Sequence, residues 1–152
     1  MAYEDRSYHG VPRSKGVTAR LLVETPEDGP TQRRNVQVLR ELRAKDEQSL
    51  GGFGWGYDGS GTSRAAAAIL ADALDLGDPE KAGISFTGWP QDNTLIRLRE
   101  DFCVEMLSQF CDEWRLRRSV IVRWAHSWFI QRGITELPNA LRDLPPLAHI
   151  DA

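Results

Sequence analysis

The sequence contains few cysteines and no long apolar segment. Its two cysteines, Cys103 and Cys111, are too few for a disulfide framework, and we expect both to be small buried apolar groups rather than a redox pair. No apolar run approaches the roughly 18 residues of a membrane span, and residues 1–14 lack the apolar segment of a secretory signal. These absences favour a reducing, cytoplasmic location.

Motifs for metal binding and catalysis are also missing. The histidines are scattered, and no group of histidine, cysteine or carboxylate residues has the spacing of metal ligands. Ser60 is not the nucleophile of a G-x-S-x-G turn, because Asp58 and Thr62 occupy the two glycine positions. A triad of Ser60, Asp58 and His126 has no motif to support it. We therefore expect a protein that is not an enzyme and uses no metal or cofactor.

Lysine is scarce, and neither sign of charge dominates. Lysine and arginine number 19 against 22 acidic residues, which leaves a net charge of −3, and all but three of the cations are arginines. The chain therefore has no domain-wide basic field to attract nucleic acid. The excess of arginine is typical of a GC-rich bacterial genome and indicates nothing about mechanism.

The hydropathy pattern predicts one α+β domain. A chain of 152 residues, 41% of them hydrophobic, can bury a single core. Apolar residues recur with a period of two early in the chain and of 3.6 later. We predict a small antiparallel N-terminal sheet from residues 6–39 and 52–57, packed by three helices at about 64–76, 94–112 and 119–131.

The predicted domain covers residues 8–133, between a flexible N-terminus at 1–7 and an irregular, proline-containing tail at 134–152. Its core residues follow from the apolar faces of the predicted elements. They are Leu21, Val23, Phe53, Trp55, Ile69, Leu70, Phe102, Met106, Phe110, Trp124 and Trp128.

The most distinctive segment is the glycine-aromatic loop, residues 49–63. Six of the thirteen glycines fall between positions 51 and 61, interleaved with Phe53, Trp55 and Tyr57. The spacing of two places the three rings on one face of an extended segment. The helix that follows has Ser60, Thr62 and Ser63 as candidate N-caps.

Phosphate-binding motifs match this loop only in part. Residues 56–63 fit G-x-x-x-x-G-K-[ST] except that Thr62 replaces the lysine, which removes the cation that reaches the phosphates. Gly54, Gly56 and Gly59 spell G-x-G-x-x-G without a preceding buried strand. We favour a structural role for the glycines. An anion or carboxylate site at the helix N-terminus is the alternative.

Two physical accounts of the loop stay open. In the first, Trp55 and Tyr57 pack inward, and Gly54 and Gly56 let the alanine-rich helix approach closely. In the second, backbone N–H groups beside the helix N-terminus hold a carboxylate or phosphate of a partner. We favour the first, with Tyr57 and Asp58 partly exposed as the contact surface. The candidate binding residues are Trp55, Tyr57, Asp58, Ser60 and Thr62.

Arginine and tryptophan are concentrated in residues 114–132, which contain no acid. Arginine pairs with phosphate and tryptophan stacks on bases, so this segment is the alternative, nucleic-acid site. The structural interpretation is stronger: the tryptophans belong to the core and the arginines form a solvated face. The arginines are Arg115, Arg117, Arg118, Arg123 and Arg132.

The loop resembles a family of uncharacterised bacterial, plasmid and phage domains, in which F-x-W-G-Y-x-G-S-G precedes an alanine-rich helix. The resemblance covers about residues 8–124, although Asp58 and Thr62 replace the family's usual glycine and proline. It implies an accessory protein that contacts another protein and brings no established activity. The matching segments are Phe53–Gly61, Arg64–Leu70, Tyr8-His9-Gly10, Asp101-Phe102, Trp114-x-Leu116 and Ile121-x-x-Trp124.

Overall fold

In the part of the chain that the structure describes, a four-stranded antiparallel sheet and four helices form the fold, so the predicted α+β class is confirmed. The computed structural model describes residues 6–26, 34–43, 52–78, 82–84, 93–142 and 144. Among them no helix is long and apolar enough to cross a membrane. The strands are β1 (Ser7–Val11), β2 (Arg20–Pro26), β3 (Arg34–Val38) and β4 (Trp114–Arg117), and the helices are α1 (Ser60–Ala73), α2 (Asn93–Glu105), α3 (Arg118–Gln131) and α4 (Asn139–Arg142).

The strand order is β3-β2-β1-β4, so the last strand in sequence pairs with the first. This corrects the prediction of a strand at residues 52–57, which form a loop. Gly52 and Gly56 have φ angles of +88° and +81°, which an extended strand does not permit. The place beside β1 is taken instead by β4, whose residues 114–117 were predicted as a break between helices.

The inner face of the sheet packs against α1. Tyr8 and Leu21 are fully buried there, and the Tyr8 hydroxyl donates to the Asp72 carboxylate at 2.6 Å. Arg6 Nη1 donates to the same carboxylate oxygen at 2.7 Å. Burial raises the pKa of Tyr8 far above its ordinary value, and the Asp72 charge adds to the effect. The Tyr8 phenol therefore stays protonated and fastens the sheet to the helix.

The chain ends differ from the prediction where the structure describes them. Ser7 begins β1 and is buried, so residues 6 and 7 belong to the domain, while residues 1–5 lie outside the described residues. The tail contains α4, in which Leu141 packs into the core. Residues 145–152 lie outside the described residues.

The helix bounds and caps also change. Helix α1 begins at Ser60, with Gly59 as its N-cap and no side-chain cap bond, so Ser60, Thr62 and Ser63 are not caps. Helix α2 ends at Glu105 rather than 112, and a short 3-10 turn at residues 107–109 follows. The sequence predicted a longer helix because the apolar periodicity continues through this turn to Phe110, which packs against the core.

Five of the eleven predicted core residues lie in the observed core, and the other six pack against it. Leu21, Ile69, Leu70, Phe102 and Trp128 are buried. The other six predicted residues are partly buried and pack against that core, namely Val23, Phe53, Trp55, Met106, Phe110 and Trp124. Four consecutive alanines of α1 are buried as well, and their small side chains allow close approach of neighbouring elements.

Two residues of α2, one buried and one exposed, test which face of the helix packs into the core. Phe102 is 0% exposed and contacts Trp124 at 5.2 Å between ring centroids. We expect Phe102→Ala to lower the free energy of unfolding by about 3–5 kcal/mol through lost burial and a cavity. Val104→Ala on the same helix, where Val104 is 50% exposed, should change it by less than about 0.5 kcal/mol. Chemical denaturation measures both, and equal effects would contradict the assignment of the helix face.

Candidate functional site

The Tyr57 ring lies across glycines of the glycine-aromatic loop. A Cβ added at Gly54 would lie 2.4 Å from the Tyr57 hydroxyl oxygen, one at Gly61 would lie 2.9 Å from it, and one at Gly59 would lie 2.8 Å from the ring. No side chain larger than hydrogen fits at these places without moving the ring. Tyr57 as a whole residue is nevertheless 54% exposed. The glycines therefore hold an aromatic surface in a defined position while leaving much of it open.

Gly56 serves a different contact. Its φ angle is +81°, and an added Cβ would lie 2.8 Å from the Phe110 carbonyl oxygen. Its N–H donates to the Leu107 carbonyl at 2.9 Å. The helix approach predicted for Gly54 and Gly56 occurs instead between Gly54 and Gly61 of α1, where a Cβ on Gly61 would meet the Gly54 nitrogen at 3.1 Å.

An aromatic cluster fixes the rest of the loop. Trp55 packs edge-on against Trp114 with 5.5 Å between ring centroids, and Phe110 lies 4.8 Å from Trp114. Trp55 Nε1 donates to the Asp112 carbonyl at 2.8 Å. The Trp114 indole covers Gly10 of β1, where a Cβ would lie only 2.3 Å from it. Trp55 thus packs inward, as predicted, whereas Tyr57 faces outward.

A cleft of about 690 Å³ opens beside this cluster. Its walls come from the turn after β1, the glycine-aromatic loop and residues 108–112. Aromatic carbon supplies much of the lining, together with one cation (Arg13), one acid (Asp112) and one amide (Gln109). The residues that matter most are Pro12, Arg13, Phe53, Trp55, Tyr57 and Gln109.

The five candidate binding residues separate into two groups. Tyr57, Asp58 and Ser60 are exposed and Trp55 is half-buried, whereas Thr62 is fully buried in α1 and lies beyond the reach of a partner. Two of them also have partners within the fold. Asp58 Oδ1 accepts a weak bond from the Cys103 thiol at 3.6 Å, and Ser60 Oγ accepts one from Arg64 Nε at 3.4 Å.

The arginines of residues 114–132 do not form one solvated face. Arg118 is 6% exposed, and it donates to the Ala73 carbonyl at 2.8 Å and to Asp75 at 3.1 Å. Arg132 pairs with Asp101 at 2.8 Å. These two side chains hold α3 against its neighbours, which corrects the expectation of a solvated arginine row.

The remaining arginines of that segment lie on two elements. Arg115 and Arg117 belong to β4, on the face of the sheet opposite Tyr8, while Arg123 lies on α3. Arg115 Nε pairs with the Glu24 carboxylate at 3.1 Å. The sequence neighbours are therefore separated by the change from strand to helix at residue 118.

A histidine between two carboxylates was not predicted. His9 Nε2 donates to Glu113 at 2.7 Å, and its Nδ1 lies 3.6 Å from Glu24. His9 and Glu24 are buried. These residues are far apart in sequence and only the sheet register brings them together. Within the described part of the chain no group of histidine, cysteine and acidic side chains could hold a metal ion.

Arg64 was also missed as a structural residue. It is 4% exposed, and its guanidinium pairs with the buried Glu41 carboxylate and donates to the Gly52 carbonyl at 3.0 Å. The only sequence signal is a cation among alanines at the start of α1, which is equally typical of a solvated helix turn. The contact joins the segment after β3, the start of the loop and α1.

Comparison with known proteins supports kinship over half the chain. A model of a family of unknown function, DUF6166, matches residues 8–83. This match covers three strands, the glycine-aromatic loop and α1. No curated protein and no solved structure matches the chain.

The loop geometry predicts that Gly56→Ala destabilises the fold. The substitution adds a left-handed φ strain and a contact with the Phe110 carbonyl, and we expect a loss of about 1–3 kcal/mol. Gly16 has a φ angle of +82° but nothing within 4 Å of an added Cβ, so Gly16→Ala carries the strain alone. Thermal unfolding should show the larger loss for Gly56→Ala. Equal losses would mean that the Phe110 contact contributes nothing.

The two thiols should differ in reactivity. Burial raises the pKa of the Cys103 thiol to about 11, and the nearby Asp58 charge adds to the shift; Cys111 is exposed, contrary to the prediction of two buried cysteines. At neutral pH we expect Ellman's reagent to modify one thiol in the native protein and both in denaturant. Cys111→Ser should abolish the native reaction. A fast reaction that survives in this variant would show that Cys103 is accessible.

Proposed function

The chain belongs to the DUF6166 family of unknown function, and we propose that it is a non-catalytic protein-binding module that contacts its partner through the cleft beside the glycine-aromatic loop. We further propose a cytoplasmic location, which the scarcity of cysteine favours, and a role as an accessory protein of a bacterial phage or plasmid, which the sequence resemblance implies.

The exposed Tyr57 ring carries this proposal. Large aromatic side chains are enriched where proteins bind each other, since they supply contact area at a low cost in side-chain entropy. Here three glycines make room for the ring, and the residue is 54% exposed. An exposed tyrosine with no binding role would not require the glycines Gly54, Gly59 and Gly61 beneath its ring.

The lining of the cleft suggests the chemistry of the contact. Phe53, Trp55 and Pro12 offer apolar surface, while Arg13 and Gln109 offer hydrogen-bond donors. This combination suits an apolar or aromatic side chain of the partner next to a carboxylate. A second cleft of about 520 Å³ lies between α1, α2 and α4, but it is smaller and Phe129 is its one aromatic lining residue.

Nucleic-acid binding through residues 114–132 is the weaker candidate. It requires cations on one accessible surface with rings available for stacking. Arg118 is buried and Arg132 pairs with Asp101. Trp128 is buried as well, and its Nε1 donates to Asp101 at 2.8 Å. Few of the groups that this function needs are therefore accessible.

Capture by tagged protein from the native host tests the proposal. We expect Tyr57→Ala to lower recovery of the captured partner at least tenfold, because the exposed ring forms the centre of the contact. The matched control is Ile130→Ala, which removes a side chain that is similarly exposed, at 56%, from α3. Asp58→Ala in the same experiment shows whether the neighbouring carboxylate contributes.

Three results would contradict the proposal. One is that Tyr57→Ala captures as much partner as the wild-type protein does while melting at the wild-type temperature. Another is capture that nuclease treatment abolishes. The third is capture that falls by orders of magnitude between about 50 and 200 mM salt, as phosphate contacts predict. The last two would favour the nucleic-acid alternative.

A further inference from the structure

The outer face of the sheet, opposite Tyr8, has an ordered arrangement of charge and apolar groups. The strand register places Val36 of β3 beside Glu24, and Val38 beside Leu22. Val36 and Val38 are 49% and 53% exposed. All five residues of β3 are exposed, and β3 is the edge strand of the described sheet. An apolar strip therefore lies along one edge of the outer face.

Arginines lie at both ends of this strip. On the same face of β3 as Val38 and Val36, Arg34 lies opposite Pro26 of β2 at one end of the strip. Arg20 begins β2 at the other end, and both arginines are exposed. Among the described residues neither side chain has an ion-pair partner. The outer face thus presents valines between two cations.

The backbone of the same strand is available for pairing. The Leu39 N–H donates to the Leu21 carbonyl at 2.8 Å. Since hydrogen-bonded pairs alternate along an antiparallel ladder, Asn35 and Gln37 also point their N–H and C=O groups toward β2. The corresponding groups of Val36 and Val38 consequently point away from the sheet. An added strand would find these groups beside the two exposed valine side chains.

We propose that the β3 edge binds an extended acidic segment of a partner protein as a fifth antiparallel strand. This surface is separate from the glycine-aromatic loop, since no residue of β3 lines the cleft. Strand addition combines main-chain hydrogen bonds with pockets for alternate side chains. A carboxylate opposite Arg34 and apolar residues opposite Val36 and Val38 complement the edge, and Arg20 of β2 adds positive charge at the other end of the outer face.

A protein segment fits this edge better than a nucleic acid does. The outward N–H and C=O groups of β3 match another peptide backbone, whereas a phosphate backbone supplies no donors to its carbonyls. Among the described residues, the outer-face positions of the four strands carry no tyrosine, tryptophan or phenylalanine for stacking on bases, because Tyr8 and Trp114 lie on the inner face and the His9 imidazole is buried. An acidic peptide is thus the occupant that the observations favour.

The register specifies a probe. The peptide Glu-Thr-Val-Thr-Val-Thr-Glu, antiparallel to β3, places its valines opposite Val36 and Val38 and one glutamate opposite Arg34. We expect fluorescence anisotropy to show saturable binding below about 1 mM. Arg34→Glu should weaken it about tenfold, since an attraction becomes a repulsion. A peptide with lysine in place of both glutamates should bind the wild-type protein at least tenfold more weakly than the acidic peptide does.

N-methylation of the peptide tests strand addition directly. In this register the N–H groups of the two peptide valines face β3, while those of the threonines face solvent. N-methyl-valine peptide should lose binding, and N-methyl-threonine peptide should keep it. This comparison leaves the protein unchanged, so misfolding of a variant cannot produce the result. Equal binding of both methylated peptides would overturn the proposal.

The remaining outcomes also discriminate. Failure of the acidic peptide to bind at 1 mM, or stronger binding of a single-stranded oligothymidylate, would overturn the proposal. So would a stable dimer in sedimentation equilibrium that Val36→Pro dissociates, because a second copy would then occupy the edge. Tyr57→Ala should leave peptide binding unchanged, so failure at the β3 edge and failure of the cleft are separate results.

Discussion

A buried ion pair between Arg64 and Glu41 holds together the part of the molecule on which the glycine-aromatic loop depends. Arg64 lies near the start of α1, and Glu41 follows β3, so the pair connects helix and sheet. The same guanidinium binds the Gly52 carbonyl, where the loop starts. Removing one partner of such a pair leaves an uncompensated buried charge, at a cost of about 3–5 kcal/mol.

From this anchored start, the loop leads to a rigidly placed aromatic ring. Gly56 turns the chain against the Phe110 carbonyl, and Trp55 is fixed by Trp114 and by the Asp112 carbonyl. The Tyr57 ring then lies across Gly54, Gly59 and Gly61 and faces outward. A preorganised ring loses little entropy when it binds, which is the physical advantage of building a contact surface this way.

The fold determines where binding surfaces can lie. The inner face of the sheet is consumed by packing against α1, where Tyr8 and Asp72 are hydrogen-bonded. Among the described residues, the surfaces that remain for partners include the loop cleft near the start of α1, the smaller cleft beside α4, the outer sheet face and the edge of β3. The buried residues His9 and Glu24, with the exposed Glu113 paired to His9, occupy the centre of that outer face, so docking is favoured toward its β3 side.

The sequence by itself determined the α+β class, the positions of three long helices within several residues, and some of the core positions, because these depend on local periodicity of apolar residues. The density of glycine around Tyr57 also marked the loop as the unusual segment. Those signals are local, and each can be seen within one stretch of chain.

Only the tertiary structure decided the contacts between distant segments. Residues 114–117 alternate apolar and cationic side chains as a strand does, but the run is only four residues long, and pairing with β1 decided that it forms a strand. Arg64 found Glu41, and Arg118 became buried, through packing that no spacing encodes. The outward position of Tyr57 was set by three glycines folding beneath it, since the direction of a side chain in a loop depends on backbone angles and neighbours rather than on a repeating pattern.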